Sequence, residues 1–249
     1  MVKQRTPFLA TIMALIVQKF GGSVLNSERQ FIKIAHSIAC LHRQGHQLVV
    51  VVSALKGMTD RLLRKAQRIN PHMPKGQSLD LLLSLGEQQS CALLGLALDI
   101  CGIPVNIKSG ALVGLYRTKQ HQWYVDVSNY LKALKKNVVV VSGFQALDER
   151  KHLITLERGG SDLTALILSH VLKADRCQLI KDVPGIATMD PQCSTKGRTF
   201  LKKLSLNDLL TISQGGSDIV QAQAIQFAQQ HRVNFEVTDL HNHGTYVYA

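Results

Sequence analysis

Residues 47–53 and 137–142 are apolar at nearly every position, and valine dominates both runs. A strand covered on one face alternates apolar and polar side chains, whereas a strand buried on both faces does not. These two runs therefore predict central strands of a sheet with helices on either side. Residues 14–19, 104–108, 177–181 and 233–238 predict further strands, the last of them the final strand of the chain. Between the strands, apolar positions recur every three or four residues. That spacing predicts helices over 27–42 (with Ser27 as N-cap), 59–68, 79–101, 160–172, 204–213 and 220–231. Proline and glycine mark 70–77 as a loop, and Gly102 ends the long third helix. Residues 109–125 are poorly patterned and predict a hairpin or lid; 145–156 predict a small hairpin around Asp148-Glu149-Arg150. No internal repeat, low-complexity block or linker interrupts the alternation. The expected fold is α/β, a three-layer αβα sandwich with a mainly parallel central sheet. It forms one domain over 13–240, with an extension at 1–12 and a tail at 241–249.

Composition narrows the partners. The chain has 249 residues, 45% hydrophobic, enough to bury one large core. Its 29 basic and 17 acidic residues give a net charge of +12. Such a surface favours anions such as nucleotides and phosphorylated metabolites, and it is equally compatible with a solvated basic face that has no special partner. Aromatics make up only 5% and no basic-aromatic stripe occurs, which disfavours nucleic acid as a partner. Cys40, Cys91, Cys101, Cys177 and Cys193 show no metal-ligand spacing and no CxxC. They predict reduced, mostly buried thiols in a cytoplasmic protein. His241-Asn242-His243-Gly244 reads as a solvated terminus more readily than as a metal site, and no protein-held metal is expected.

The apolar run at 8–17 follows Lys3 and Arg5 and imitates a signal peptide, yet it leads into Gln18-Lys19-Phe20-Gly21-Gly22 with no cleavage site. Met13 opens a natural protein start, so residues 1–12 are expected to be a disordered extension from an upstream start codon. No uninterrupted apolar run reaches the roughly 18 residues of a membrane helix, and no membrane partner is expected.

The polar signals fall at strand ends, where ligands of parallel α/β sheets bind. Lys19-Phe20-Gly21-Gly22-Ser23 closes the first strand. A lysine supplies charge to a transferring phosphoryl group, and paired glycines let backbone approach phosphate oxygens. Alone, the segment fits an edge lysine and a turn equally well. Ser53-Ala54-Leu55-Lys56-Gly57-Met58-Thr59 closes the second. Thr59 reads as a helix cap or, with the helix N-terminus, as a carboxylate holder. Glu87 interrupts a leucine-rich helix between Leu81, Leu82, Leu83, Leu85 and Leu93, Leu94, Leu96. A buried carboxylate there needs a cationic partner, and a substrate ammonium would serve. Glu157-Arg158-Gly159-Gly160-Ser161-Asp162 opens a helix, with backbone N–H groups for an anion, one cation and one carboxylate. Lys181-Asp182-Val183-Pro184-Gly185 is ordinary turn chemistry taken alone.

In this order these segments resemble the amino acid kinase family, and within it the aspartokinases. The family pattern runs Lys-Phe-Gly-Gly-Thr, Ser-Ala…Gly-x-Thr, Gly-Glu…Ser, Gly-Arg-Gly-Gly-Ser-Asp-x-Thr-Ala and Thr-Asp-Val-x-Gly-x-Tyr-Thr-x-Asp-Pro-Arg. The resemblance extends from Ala14 to about Val237. It implies an amino acid kinase-like fold and ATP-dependent phosphorylation of the β-carboxylate of L-aspartate, the first step toward lysine, threonine and methionine. By matched position it implies that Lys19 stabilises the transferring phosphoryl group. Gly21, Gly22 and Ser23 would cradle the phosphates, and Phe20, Ser53, Gly159 and Gly160 would also bind the nucleotide. Thr59, Glu87, Arg158 and Ser161 would hold aspartate, with Arg158 on the α-carboxylate and Glu87 on the ammonium. Asp162 would orient lysine and substrate. Lys181, Asp182, Ala187 and Gln192 would border the nucleotide. Mg2+ would arrive bound to ATP rather than in a protein cage. A cytoplasmic homodimer built through a helix and a sheet edge is the expected assembly.

Several positions depart from the pattern. Glu157 replaces a glycine, Lys181 a threonine, Ala187 a tyrosine and Gln192 an arginine. Near Gly215-Gly216-Ser217-Asp218-Ile219-Val220 the family places a nucleotide-binding lysine, and Asp218 or Val220 stands there instead. Lys181 is expected to supply the missing charge from another strand end. The ligand-sensing regulatory domains of aspartokinases are not expected in this polypeptide. Two alternatives remain: a family relative acting on another carboxylate or phosphate, and a non-catalytic nucleotide- or amino-acid-binding relative.

Overall fold

The structure, a computed structural model, describes residues 13–72, 75–157, 159–187, 199–214 and 219–249. The extension at 1–12, Arg158, Gln192, Cys193 and Asp218 lie outside the described residues.

Strand β1 (Leu15–Phe20) leads through helix α1 (Glu28–Arg43) to β2 (Gln47–Val52). Helices α2 (Met58–Ile69) and α3 (Gln77–Ile100) precede β3 (Val105–Lys108). Then come β4 (Leu115–Arg117), β5 (Trp123–Val125), α4 (Val127–Leu134), β6 (Val138–Ser142), β7 (Gln145–Leu147) and β8 (Leu153–Thr155). The second half adds α5 (Gly160–Leu172), β9 (Arg176–Ile180), β10 (Lys203–Ser205), α6 (Leu206–Gln214), α7 (Ala222–His231), β11 (Phe235–Thr238) and β12 (Gly244–Tyr248). The main sheet has the order β10-β12-β11-β9-β1-β2-β6-β3. From β11 to β3 every neighbouring pair is parallel, whereas β12 runs antiparallel to β11.

The all-apolar runs work as their sequence predicts. Val17, Val49, Val51, Val139, Val141, Cys177 and Leu179 join one core with α4 to α7. Ile16, Leu48, Val50, Val52, Val138, Val140 and Ile180 join another with α1 and α3. Successive residues point to opposite faces, so one run of valines feeds both cores. This is the expected three-layer αβα sandwich.

The structure corrects several local expectations. Ser27 occupies the N-cap position of α1 in extended conformation but makes no side-chain cap bond. The hairpins expected in 109–125 and 145–156 do form, as β4–β5 and β7–β8, but a parallel β4–β7 contact joins them into a second four-stranded sheet. Helix α4 had no counterpart in the sequence reading; its Asp126 N-cap accepts from Asn129 N at 3.2 Å, and Tyr130, Ala133 and Leu134 form its buried face. Residues 203–205 are a strand before α6, and 233–238 does not hold the last strand, since β12 inserts between β10 and β11. Thr245 and Val247 turn inward there while Tyr246 and Tyr248 stay exposed. Cys91 and Cys177 are buried, Cys101 is half-buried and Cys40 is exposed, so the thiols are less uniformly interior than expected. Helix α3 is long and apolar enough to cross a membrane, with 24 residues and a mean hydropathy of 1.3, although 56% of that window is buried inside the protein. Its scattered acidic residues hid this from a count of uninterrupted apolar positions.

Candidate active site

The carboxyl ends of β1, β2 and β9 meet the N-termini of α2 and α5 at a cleft of about 620 Å³. Lys19, Gly22, Ser23, Ser53, Thr59, Glu87, Gly159, Gly160, Ser161, Asp162 and Lys181 all line it. Chain segments far apart in sequence thus converge, because β1 lies between β2 and β9 in the sheet.

The charged heart of the cleft is a buried triad. Lys19 Nζ lies 2.6 Å from Asp162 Oδ1, and Lys181 Nζ lies 2.7 Å from Asp162 Oδ2. Asp162 occupies the first turn of α5, where the helix N-terminus favours negative charge. Burial pushes the Asp162 carboxyl up, but Lys181 and Lys19 outweigh it and hold it below the usual carboxylate range. Burial lowers Lys19 to about 8; Asp162 opposes that fall and the neighbouring Lys181 adds to it. At about 8 Lys19 still carries its proton at neutral pH, and an anion arriving beside it would hold that proton more firmly.

Glu87 is 3% exposed, on the inner face of α3. Its Oε1 accepts from Ala54 N at 3.0 Å, just beyond β2. Its Oε2 is buried and has no hydrogen-bond partner among the described residues. Burial raises this carboxyl to about 7, partly offset by the Ala54 N–H and by Lys19. Gly86 makes the approach possible, since a Cβ there would lie 2.7 Å from the Ala54 Cβ. Glu87 therefore offers an unsatisfied acceptor to a cation in the cleft.

The α5 entrance depends on Gly159, whose φ of +78° is left-handed and whose absent Cβ would meet Gln221 Cγ at 2.1 Å. Ser161 and Asp162 follow it into the helix. Ser23 Oγ donates to Asp182 Oδ1 at 2.9 Å, linking the loop after β1 to the loop after β9.

Not every expected residue reaches the cleft. Phe20 is 2% exposed and packs in the core shared with α1 and α3. Gly21 lies beside the two lysines, with its N–H donating to Ile180 O at 3.2 Å. Ala187 pairs with Phe200 in an isolated bridge and is not among the residues that line the cleft. Residues without any assigned role also line the cleft, among them Phe144, Thr155, Leu156 and Gln221. Phe144 carried a faint signal, following the strand-end Ser142-Gly143, and its φ of +64° marks local backbone strain. Gln221 carried none. Among the described residues, no group of three or more His, Cys, Asp or Glu could hold a metal ion.

Comparison with known proteins identifies the family. The sequence profile of the amino acid kinase family matches residues 14–239. An aspartate kinase of Stutzerimonas stutzeri is 37% identical over 230 residues, covering 90% of this chain and 55% of its own. The chain thus spans about half the length of that relative. The crystal structure of an aspartate kinase from Synechocystis superposes with a TM-score of 0.83 at 36% identity, covering 95% of this chain and 40% of that one. Aspartokinase III of E. coli, solved with aspartate and ADP, shares the fold at 20% identity and a TM-score of 0.76, covering 94% of this chain and 64% of its own. With its parallel-sheet sandwich and its strand-end lysines around one buried aspartate, the chain belongs to the amino acid kinase family.

Proposed function

We propose that this chain catalyses ATP-dependent phosphorylation of the β-carboxylate of L-aspartate, giving 4-phospho-L-aspartate and ADP. The observation that carries the reading is that the buried Lys19–Asp162 pair shares a cleft with Glu87, whose Oε2 has no hydrogen-bond partner among the described residues. A substrate that is anionic at its reacting end and cationic at its other end suits both. An acceptor with no ammonium would leave Glu87 buried without a cation.

In this reading Glu87 takes the aspartate ammonium. Thr59 and Ser161, each near a helix N-terminus, take its carboxylates, a role the family resemblance gives also to Arg158. Gly21, Gly22, Ser23, Gly159 and Gly160 give backbone access to the phosphates, and Asp182 and Lys181 border the nucleotide. Asp162 fixes the position of Lys19. The acceptor carboxylate is itself the nucleophile, so no general base is required. Rate enhancement comes from alignment and from neutralising charge on the phosphoryl group. Mg2+ fits as an ion carried on the ATP phosphates, since Asp162 is engaged by two lysines and Asp182 by Ser23. Bound there, it would neutralise phosphate charge.

The test is ADP release from ATP with L-aspartate, L-glutamate, N-acetylglutamate, UMP and isopentenyl phosphate as separate acceptors. Release dependent on aspartate alone is expected. Release driven by another acceptor, or ATP binding without turnover for any of them, would contradict the reading.

A further inference from the structure

Asp162 is held by two ammonium groups where one would satisfy its charge. The side chains of Lys19, Asp162 and Lys181 are 6%, 3% and 13% exposed. Within the triad one carboxylate faces two lysines, a unit of positive charge in excess; the other buried acid of the cleft, Glu87, is raised to about 7 and only partly ionised at neutral pH. Burying an unbalanced charge is costly unless an anion arrives to meet it. Lys181 is the more open of the two and lines the cleft. Neither Lys19 nor Lys181 has another carboxylate partner among the described residues.

The sheet explains why they meet. Strands β1 and β9 are parallel neighbours with Lys19 beside Leu179 and Phe20 beside Ile180. Lys181 leaves the tip of β9 one residue later, its N–H anchored on Thr238 O at 2.8 Å. A Cβ on Gly21 would lie 3.5 Å from Lys19 Nζ and 3.8 Å from Lys181 Cδ, so both side chains run over the same glycine. The sequence at 215–220, Gly-Gly-Ser-Asp-Ile-Val, supplies no cation of its own.

We propose that Lys181 is a second catalytic lysine, which meets the phosphoryl group in transfer together with Lys19 while Asp162 sets the spacing of the two ammoniums. The inference deepens the aspartate kinase reading and rests on it. In the transfer an acceptor carboxylate oxygen forms a bond to the γ-phosphorus. The bond from that phosphorus to the β–γ bridging oxygen breaks, and its electron pair stays on ADP. No proton moves. Negative charge passes from acceptor to leaving oxygen across the phosphoryl group, and paired cations cover that path better than one. Lys181 thus acts on turnover more than on nucleotide affinity.

Lys181→Met keeps the aliphatic stem and removes the charge. Aspartate-dependent ADP release and calorimetric ADP binding are measured on wild type, Lys181→Met and Lys181→Arg. The expected result is a fall in kcat of about 10²-fold or more for Lys181→Met, with KM for ATP and affinity for ADP changed by less than about threefold. Lys181→Arg is expected to keep at least about a tenth of wild-type kcat, since it keeps the charge. A kcat for Lys181→Met within about threefold of wild type, or a raised KM for ATP at unchanged kcat, would overturn the proposal. So would a folded Lys181→Arg as impaired as Lys181→Met. If wild type itself shows no aspartate-dependent release, the aspartate kinase reading falls and takes this inference with it. An active wild type beside an equally active Lys181→Met removes this inference alone.

Discussion

Glu87 shows how a single residue can trade stability for binding. Its carboxyl is raised from 4.5 to about 7, chiefly by burial. A group raised on folding contributes its stability fully below the unfolded value, and that contribution is lost as pH climbs through the folded value. Ionised Glu87 therefore weakens the empty protein above about pH 7. Glu87→Gln keeps the oxygen that accepts from Ala54 N and removes the charge. It is expected to be more stable than wild type near pH 8, by roughly 1–3 kcal/mol and with a higher unfolding temperature, the gap closing below about pH 5. The same variant is expected to raise the KM for aspartate by roughly one to two decades, the cost of a lost charge-assisted contact. Thermal unfolding across pH and steady-state kinetics check both; a variant less stable than wild type near pH 8 would contradict the assignment. Glu87 was legible in the sequence because a lone carboxylate among leucines needs an explanation. Its ligand Ala54 N was not, because a backbone partner 33 residues away leaves no mark in side-chain pattern.

At the scale of elements, helix α3 is what delivers Glu87. Gly86 lets the helix lie against the turn after β2, with Ala54 in the space a Cβ would take. Gly86→Ala is expected to push α3 away, at a cost of about 1–3 kcal/mol for overpacking. The displacement is expected to raise KM for aspartate more than KM for ATP, because Glu87 sits on α3 whereas Lys19 and Asp162 do not. Denaturant unfolding and initial rates measure the two effects, and equal changes in both KM values would contradict this account of α3. The central valine strands were legible because burial on both faces leaves an uninterrupted apolar run. Helix α4, of 8 residues, was too short for a period to emerge from its flanks. Strand β10 was hidden because it has only 3 residues and pairs with β12, far along the chain; β12 forms a hairpin with β11, but its alternation of buried and exposed positions falls in a segment whose His-Asn-His-Gly start reads as a solvated tail.

For the whole molecule, sheet order turns separated motifs into one site. The motifs after β1, β2 and β9 sit together because those strands are adjacent, although Ser23 and its partner Asp182 are 159 residues apart. The order of the motifs was readable from the chain, and with it the family. The double pairing of Asp162 was not, since it depends on β9 lying next to β1 rather than beyond it. The most direct check of the central claim, that Lys19 serves phosphoryl transfer to the side-chain acid of aspartate, is to trap the product. Acyl phosphates react with hydroxylamine, so the account predicts aspartyl hydroxamate from ATP, aspartate and hydroxylamine. It also predicts a rate lowered by about 10²-fold or more in Lys19→Met. ADP formed without hydroxamate, or a Lys19→Met protein as fast as wild type, would contradict it.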